Sequence, residues 1–187
     1  MFKRLFDITF AVIMLLIFAL PFVLIAMVIR LTSPGPAIYW SDRVGINNRL
    51  FRMPKFRTMK LGTPAVSTHL LPDPDAYVTS FGKLLRKTSL DELPQLWSIL
   101  VGDMSMVGPR PALFNQDDLI ALRSEVGVQK ISPGLTGWAQ VNGRDELAIP
   151  EKVKLDAEYL QQQSFWFDLK VIFLTFVRVI HRQGVSH

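Results

Sequence analysis

The longest apolar segment of the chain lies near its N-terminus. Residues 8–29 carry no charged side chain, and as a helix they would extend roughly 33 Å, enough to cross a bilayer core. Pro21 lies near the middle, where a proline kinks a helix. Basic residues flank both ends, and the positive-inside rule favours placing both ends in the cytoplasm. The pattern therefore predicts, over residues 1–32, a membrane-embedded helix that is broken at Pro21 and re-enters the same leaflet, with a straight single span as the alternative.

A second apolar segment covers residues 164–182 near the C-terminus. Asp168 and Lys170 interrupt it early, and Arg178, His181 and Arg182 follow at its end. The segment is too charged to cross a bilayer easily and too apolar for an ordinary exposed helix, which fits an interfacial helix or a buried core helix. A carboxylate within such a segment is costly unless it is paired. We therefore expect an arginine, a lysine or a metal ion beside Asp168.

Shorter elements fill the region between these two segments. Residues 37–44 and 50–59 have the pattern of short strands, whereas residues 81–86, 96–100, 116–126 and 151–163 have that of helices. A proline-rich stretch over residues 60–80 predicts a loop. The expected fold class is α/β and mostly helical, with residues 33–187 forming a small globular domain with short β segments.

Composition narrows the set of partners. The 187 residues are 49% hydrophobic with a net charge of +5 and no cysteine, and the mean hydropathy is positive at +0.25. One domain with a substantial core is expected from this length, and disulfides and thiolate metal sites are excluded. The apolar excess favours membrane lipid or a phosphorylated substrate over nucleic acid as the partner of this basic chain.

Two adjacent carboxylates, Asp91 and Glu92, stand at the predicted start of a short helix. Either Ser89, with Glu92 three residues later, or Asp91 is the N-cap, because Pro94 is tolerated only in a first helical turn. Capping alone is the simplest explanation of these acidic residues. The basic residues nearby favour a second one, in which a carboxylate attacks a phosphorus atom while cations neutralise the phosphates.

Candidate phosphate-binding side chains occur on both sides of the carboxylate pair. Arg86 precedes it, and Arg110 follows it between two prolines that restrict the backbone and lower the entropy of binding. Lys55 lies in the second predicted strand. Gln140 and Arg144 lie close together in a segment with glycine turns, as residues that contact a nucleotide or sugar often do, although a polar surface loop has the same composition.

Seven short motifs occur in a fixed order behind the N-terminal apolar helix. They are KFRTM at 55–59, SLDELPQL at 89–96, GDMS at 102–105, VGPRP at 107–111, PGLTG at 133–137, AQVNGR at 139–144 and FDLK at 167–170. In this combination and over nearly its whole length, the chain resembles the bacterial monotopic phosphoglycosyl transferases, which start surface-glycan assembly. Many members have Ser-Pro at the helix break, where this chain has Leu20 and Pro21.

The resemblance implies a function at the cytoplasmic face of the bacterial inner membrane, with a re-entrant helix and amphipathic helices at the interface. It implies that a UDP-sugar gives its sugar phosphate to a polyprenol phosphate such as undecaprenyl phosphate, with release of UMP and a requirement for Mg²⁺. Asp91 would be the nucleophile that forms a covalent phosphosugar intermediate, and Glu92 would assist it; both would hold the metal. The residues implied to bind substrate phosphates are Lys55, Arg86, Arg110, Gln140 and Arg144, with Asp168 supporting their network.

Two other functions fit parts of the sequence. Asp73 and Asp75 form a D-x-D element of the kind that holds a metal in glycosyltransferases that transfer sugar without phosphate, although turn chemistry is the usual role of such residues in a proline-rich loop. A basic membrane-anchored domain could also serve as a scaffold without catalysis. The identity of the sugar and the oligomeric state, including a homo-oligomer, stay open at this point.

Overall fold

The computed structural model describes residues 2–64, 66, 72–143 and 147–181. The chain is mostly helical, with two small two-stranded sheets, as the predicted fold class requires. Its helices are α1 (Phe2–Ile17), α2 (Ala19–Thr32), α3 (Pro74–Tyr77), α4 (Ser80–Thr88), α5 (Gln95–Val101), α6 (Asp117–Glu125), α7 (Trp138–Asn142), α8 (Ile149–Gln162) and α9 (Phe165–His181). Its strands are β1 (Ile38–Val44), β2 (Leu50–Phe56), β3 (Ser105–Val107) and β4 (Gly134–Thr136).

The N-terminal apolar segment is broken, but at a different residue from the one predicted. Helices α1 and α2 meet at Phe18 with a bend of 63°, so Pro21 lies in the first turn of α2. Proline has no N–H to donate to the carbonyl of Ile17, and its ring would collide with that carbonyl in a continuous helix. The interruption therefore falls in the turn before Pro21, where the proline itself is well tolerated.

Neither helix of this pair is long and apolar enough to span a membrane by itself, and the same holds for every other helix in the described residues. Together the bent pair meets the length and composition expected of a broken span or a re-entrant segment. Much of the outer surface of α1, α2 and α9 is apolar. The strongly exposed side chains there are Phe2, Leu5, Leu16, Ile17, Leu20, Val23, Leu31, Trp166, Phe173 and Phe176.

The inner face of α1 belongs to the same core as the rest of the protein. Ala11 is fully buried and packs in one cluster with Ile99 of α5, Val107 of β3 and Val171 of α9. Helix α2 ends at Thr32, before the SPGP sequence, as predicted. The predicted boundary between residues 32 and 33 therefore coincides with the end of a helix. It does not separate two cores, because α1 packs in the same core as the globular part.

The strand predictions are confirmed for both N-terminal strands. β1 and β2 pair antiparallel, with Tyr39 opposite Lys55 and Arg43 opposite Phe51. Residues of this hairpin alternate between two faces, so Arg43 and Lys55 lie on the same face. The predicted second strand extended to residue 59, but β2 ends at Phe56, where the chain turns towards α4.

The second sheet brings two glycines into direct backbone contact. β3 and β4 run parallel, and the amide of Gly108 donates to Thr136 O at 2.9 Å while the amide of Gly134 donates to Pro109 O at 2.9 Å. A Cβ on Gly134 would collide with backbone atoms of Gly108 and Thr136. This close crossing fixes the backbone immediately before Arg110.

Candidate active site

The turn that carries the two carboxylates is folded differently from the predicted capping box. Ser89 ends α4 in the left-handed conformation, with φ 55°, and residues Leu90–Glu92 form one short 3₁₀ turn without a side-chain cap. Pro94, not Ser89 or Asp91, takes the N-cap position of α5. The left-handed residue ends α4, as it commonly does at a helix C-terminus. The carboxylates therefore lie on a tight turn between two helices.

Glu92 is buried and held by two cations. Its Oε1 accepts from Lys55 Nζ at 3.2 Å and from Arg110 Nη2 at 3.1 Å, and only 9% of the residue is exposed. Lys55 comes from β2 and Arg110 from the loop after β3. Both cations therefore converge on the turn from distant parts of the sequence.

Arg86 is fixed beside the same turn by the chain after β2. Its Nε donates to the hydroxyl of the buried Thr58 at 3.0 Å. The positive charges of Lys55, Arg86 and Arg110 all act on Asp91. Three of the five predicted phosphate-binding residues are therefore grouped with the carboxylate pair.

Burial and charge shift the proton affinities in this group. Burial raises the pKa of Asp91, and the neighbouring Glu92 carboxylate adds to the rise, while Lys55 and the two arginines oppose it. Burial lowers the pKa of Lys55, with the Glu92 carboxylate opposing the change. Strongly perturbed groups packed together in this way are typical of functional sites.

The backbone of Arg110 is bonded to Arg123, which forms an ion pair with Asp156 that the sequence did not reveal. Arg123 of α6 donates to Arg110 O at 2.8 Å and to Asp156 Oδ2 of α8 at 2.6 and 2.9 Å. Asp156 is 1% exposed, and burial raises its pKa while Arg123 opposes the rise. The sequence predicted only a helix over residues 116–126, because helical spacing alone cannot show that one arginine of α6 turns inwards.

Arg43 is a further cation that sequence reasoning placed only among the residues flanking the membrane segment. Its guanidinium donates to Pro111 O at 3.2 Å, and its charge acts on Lys55. The strand alternation that puts Arg43 on the face of Lys55 is a signal that could have found it.

Asp168 has the expected cationic partner, but that partner belongs to another part of the molecule. Lys3 Nζ lies 2.6 Å from Asp168 Oδ2, and the Tyr159 hydroxyl donates to Oδ1 at 2.7 Å. Lys3 also donates to Val107 O at 3.1 Å. The pairing predicted for this carboxylate is confirmed, and its contacts join α1, α8 and α9 rather than the group around Asp91.

The remaining predicted residues have other contacts or lie outside the described part of the chain. Gln140 donates to Leu135 O at 3.1 Å and lines a cavity that also reaches Glu92. Arg144 lies outside the described residues. Asp73 caps α3, its Oδ1 accepting from Ala76 N at 3.3 Å, and Asp75 is exposed and pairs with Lys83 at 2.8 Å. Both aspartates thus have the structural roles that their loop composition favours.

Within the described part of the chain, the carboxylate pair is the donor set that this turn offers to a divalent cation. Among the described residues, no group of three or more histidine, cysteine, aspartate or glutamate side chains converges. Mg²⁺ is commonly held by one or two carboxylates together with substrate phosphates. Asp91 and Glu92 fit this mode, which completes the metal site only when a phosphorylated substrate is present.

A carboxylate turn with several cations around it is suited to chemistry on phosphate groups. Comparison with known sequences identifies the family of the chain. The sequence model of the family described as bacterial sugar transferase matches residues 1–182. The chain belongs to this family, and the resemblance recognised from its motifs is confirmed.

Individual relatives cover the chain almost completely. It is 40% identical to an undecaprenyl-phosphate glucose phosphotransferase of Komagataeibacter xylinus, over 95% of this chain and 36% of that protein. It is 39% identical to the uncharacterized sugar transferase EpsL of Bacillus subtilis, over 98% and 90% respectively. It is 38% identical to an undecaprenyl-phosphate galactose phosphotransferase of Salmonella typhimurium, over 97% and 41%. The chain thus spans well under half the length of the two relatives that are named by their reaction.

Proposed function

We propose that this protein transfers a sugar 1-phosphate from a UDP-sugar to a polyprenol phosphate, which forms a polyprenyl-diphosphate-linked sugar and releases UMP. The observation that carries the proposal is the turn of half-buried Asp91 and buried Glu92 with Lys55, Arg86 and Arg110 around it. Membership in the sugar transferase family and relatives named for undecaprenyl-phosphate phosphotransfer support the same reaction.

The first chemical step is nucleophilic attack by Asp91 on the phosphorus that bears the sugar. The new bond joins the carboxylate oxygen to phosphorus, and the bond from this phosphorus to the bridging oxygen breaks, so that UMP leaves with that oxygen and its electron pair. In the second step an oxygen of the polyprenol phosphate attacks the same phosphorus, and the Asp91 carboxylate leaves unchanged. A covalent intermediate lets a water-soluble donor and a lipid acceptor use one site in turn.

The surrounding residues stabilise the charge that moves during both steps. Arg86 and Arg110 would bind the non-bridging phosphate oxygens, and Lys55 holds Glu92 in place through its ion pair. Asp91 and Glu92 would hold Mg²⁺ together with the diphosphate, and the ion would supply further neutralisation of phosphate charge.

The acceptor phosphate lies at a membrane surface, so the site must lie there as well. The exposed apolar faces of α1, α2 and α9 would contact lipid. Both ends of the bent pair are tied to the globular part: Lys3 pairs with Asp168, and Arg57 donates to the carbonyls of Ser33 and Pro34 at 2.9 and 2.6 Å. These contacts favour a re-entrant arrangement at the cytoplasmic face over a single span.

The arrangement in the membrane is testable because the chain has no cysteine. We expect single cysteines at Phe2 and at Arg49 to react with a membrane-impermeant maleimide in inside-out vesicles and not in spheroplasts. A cysteine at Leu20, beside the break, is the control and should react in neither preparation. Labelling of the Phe2→Cys variant from outside intact spheroplasts would establish a single span and overturn the re-entrant arrangement.

The reaction is tested by identifying the released nucleotide. Purified protein in detergent, with Mg²⁺ and undecaprenyl phosphate, is given a panel of UDP-sugars that begins with UDP-glucose and UDP-galactose. We expect UMP from at least one donor and a lipid product that carries the sugar on a diphosphate. Release of UDP instead would favour a glycosyltransferase that transfers sugar without phosphate and uses Asp73 and Asp75. No nucleotide release from any donor of a broad panel would favour a membrane-anchored scaffold without catalysis.

A further inference from the structure

A cavity of about 330 Å³ adjoins Glu92 on the apolar side of the molecule. Helix α1 and the bend contribute Met14 and Phe18 to its wall, and α9 contributes Ile172 and Phe176. Phe176 is 64% exposed, so the cavity reaches the surface between α1 and α9, the helices that carry much of the exposed apolar surface.

The lining is suited to a hydrocarbon chain and poorly suited to a nucleoside or a sugar. Most of its side chains are aliphatic, aromatic or methionine. Among its polar side chains, the Thr136 and Thr175 hydroxyls bond each other at 2.6 Å, and Gln140 donates to Leu135 O while its buried Oε1 has no partner among the described residues. A nucleoside or sugar would leave most of its hydroxyl and amide groups without partners there, which is costly.

Charged side chains in the lining of the cavity can accommodate the head of an anionic lipid. Lys87 and Arg178 belong to the lining, and Glu92 brings the cavity into contact with the carboxylate turn. A phosphate bound near Glu92 would lie beside the carboxylate turn with which it has to react. Charge and shape are therefore complementary to a long apolar chain that carries a phosphate at one end.

We propose that this cavity binds the isoprenoid units nearest the phosphate of the polyprenol phosphate acceptor. The inference rests on the proposed function for the identity of the lipid. Ligand pockets commonly measure about 300–1,000 Å³, so the cavity is large enough for only the first part of a long polyprenol. The rest of the chain would leave the cavity and extend into the bilayer. The bend at Phe18 acquires a function in this arrangement, because it forms part of the wall.

Direct binding is tested by protection of a cysteine in the cavity. An Ile172→Cys variant should react with N-ethylmaleimide in detergent, and undecaprenyl phosphate should slow this reaction about tenfold or more, whereas phosphatidylglycerol should not. The Phe173→Cys variant is the matched control, because that neighbouring side chain is 64% exposed and does not line the cavity. Equal protection by both lipids would identify the cavity as a site for ordinary bilayer lipid, and absence of protection would exclude the acceptor; either result overturns the proposal.

Kinetics provide a second test that separates this inference from the proposed function. Filling the cavity with Ile172→Trp or Met14→Trp should raise KM for undecaprenyl phosphate about tenfold or more and leave KM for the UDP-sugar and the acceptor-independent burst of UMP unchanged. The Phe173→Trp variant should behave as the unmodified protein. Unchanged acceptor KM in both cavity variants, with the UMP burst intact, would overturn the cavity assignment while leaving the transferase function in place. Protection of Ile172→Cys by undecaprenyl phosphate without any UMP release would support the cavity assignment and overturn the transferase function.

Discussion

Replacing Asp91 with asparagine is expected to lower the rate of UMP release by about 10³-fold or more and to abolish the covalent phosphosugar intermediate. An amide of the same shape keeps the volume of the side chain but has no carboxylate oxygen to attack phosphorus. The measurement is the burst of UMP in the absence of acceptor, together with mass spectrometry of the intact protein after mixing with the UDP-sugar.

Two control variants test whether the loss of activity is specific to Asp91. Glu92→Gln removes the neighbouring charge and should slow turnover while still allowing the intermediate to form, because Asp91 is retained. Asp117→Asn changes an exposed carboxylate in the first turn of α6 and should leave the rate unchanged. Full activity in the Asp91→Asn protein would exclude Asp91 as the nucleophile.

The pKa of Asp91 predicts how this variant affects folding and how the wild-type rate depends on pH. Burial raises the folded-state pKa above the ordinary value of 3.8. At a pH above the raised value the carboxylate is charged in both states, and its charge costs stability in the folded state. The Asp91→Asn protein should therefore melt at the same temperature as wild type or higher. The burst rate should fall with decreasing pH at a pH above that expected for an ordinary aspartate.

Replacing Lys3 with methionine is expected to destabilise the protein by about 2–3 kcal/mol, because it leaves the Asp168 carboxylate buried without its cation. Asp168 is 2% exposed, whereas about a third of the Lys3 side chain is exposed, which places the expected loss towards the low end for a buried pair. Burial and the neighbouring Asp168 carboxylate raise the pKa of Tyr159. Its hydroxyl therefore stays protonated and continues to donate to Asp168, but it does not neutralise the charge. The measurement is thermal unfolding in detergent.

The matched control for Lys3→Met is Lys83→Met. The Lys83 pair with Asp75 has a similar length of 2.8 Å, but its side chains are 52% and 72% exposed, so its loss should cost under about 1 kcal/mol. Equal changes in the two variants would show that the Lys3 pair does not anchor α1. A charge-free double variant, Lys3→Met with Asp168→Asn, should recover part of the stability because no buried charge is left unpaired.

The elements of secondary structure were largely predictable, whereas the details at their ends were not. The lengths of apolar segments, the strand-like alternation and the SPGP stop are local signals, and the corresponding helices and strands are present in the structure. The bend lies at Phe18 and not at Pro21, since a proline disturbs the hydrogen bond of the preceding turn. Ser89 ends α4 in a left-handed conformation instead of capping the next helix, an outcome that the capping signal in the local sequence does not reveal.

By itself, the sequence determined which chemical groups the protein has available: an acidic pair near basic residues, an apolar segment that a proline must interrupt, and a carboxylate in α9 that requires a cation. Only the tertiary structure decided which groups meet. It brings Lys55 and Arg110 to Glu92, and it bonds the Arg123 side chain to the backbone carbonyl of Arg110. It also pairs Lys3 with Asp168 across 165 residues and leaves a cavity between α1 and α9. The reason is physical: local patterns depend on the nearest few residues, whereas pairing and cavities depend on how distant segments pack into one core.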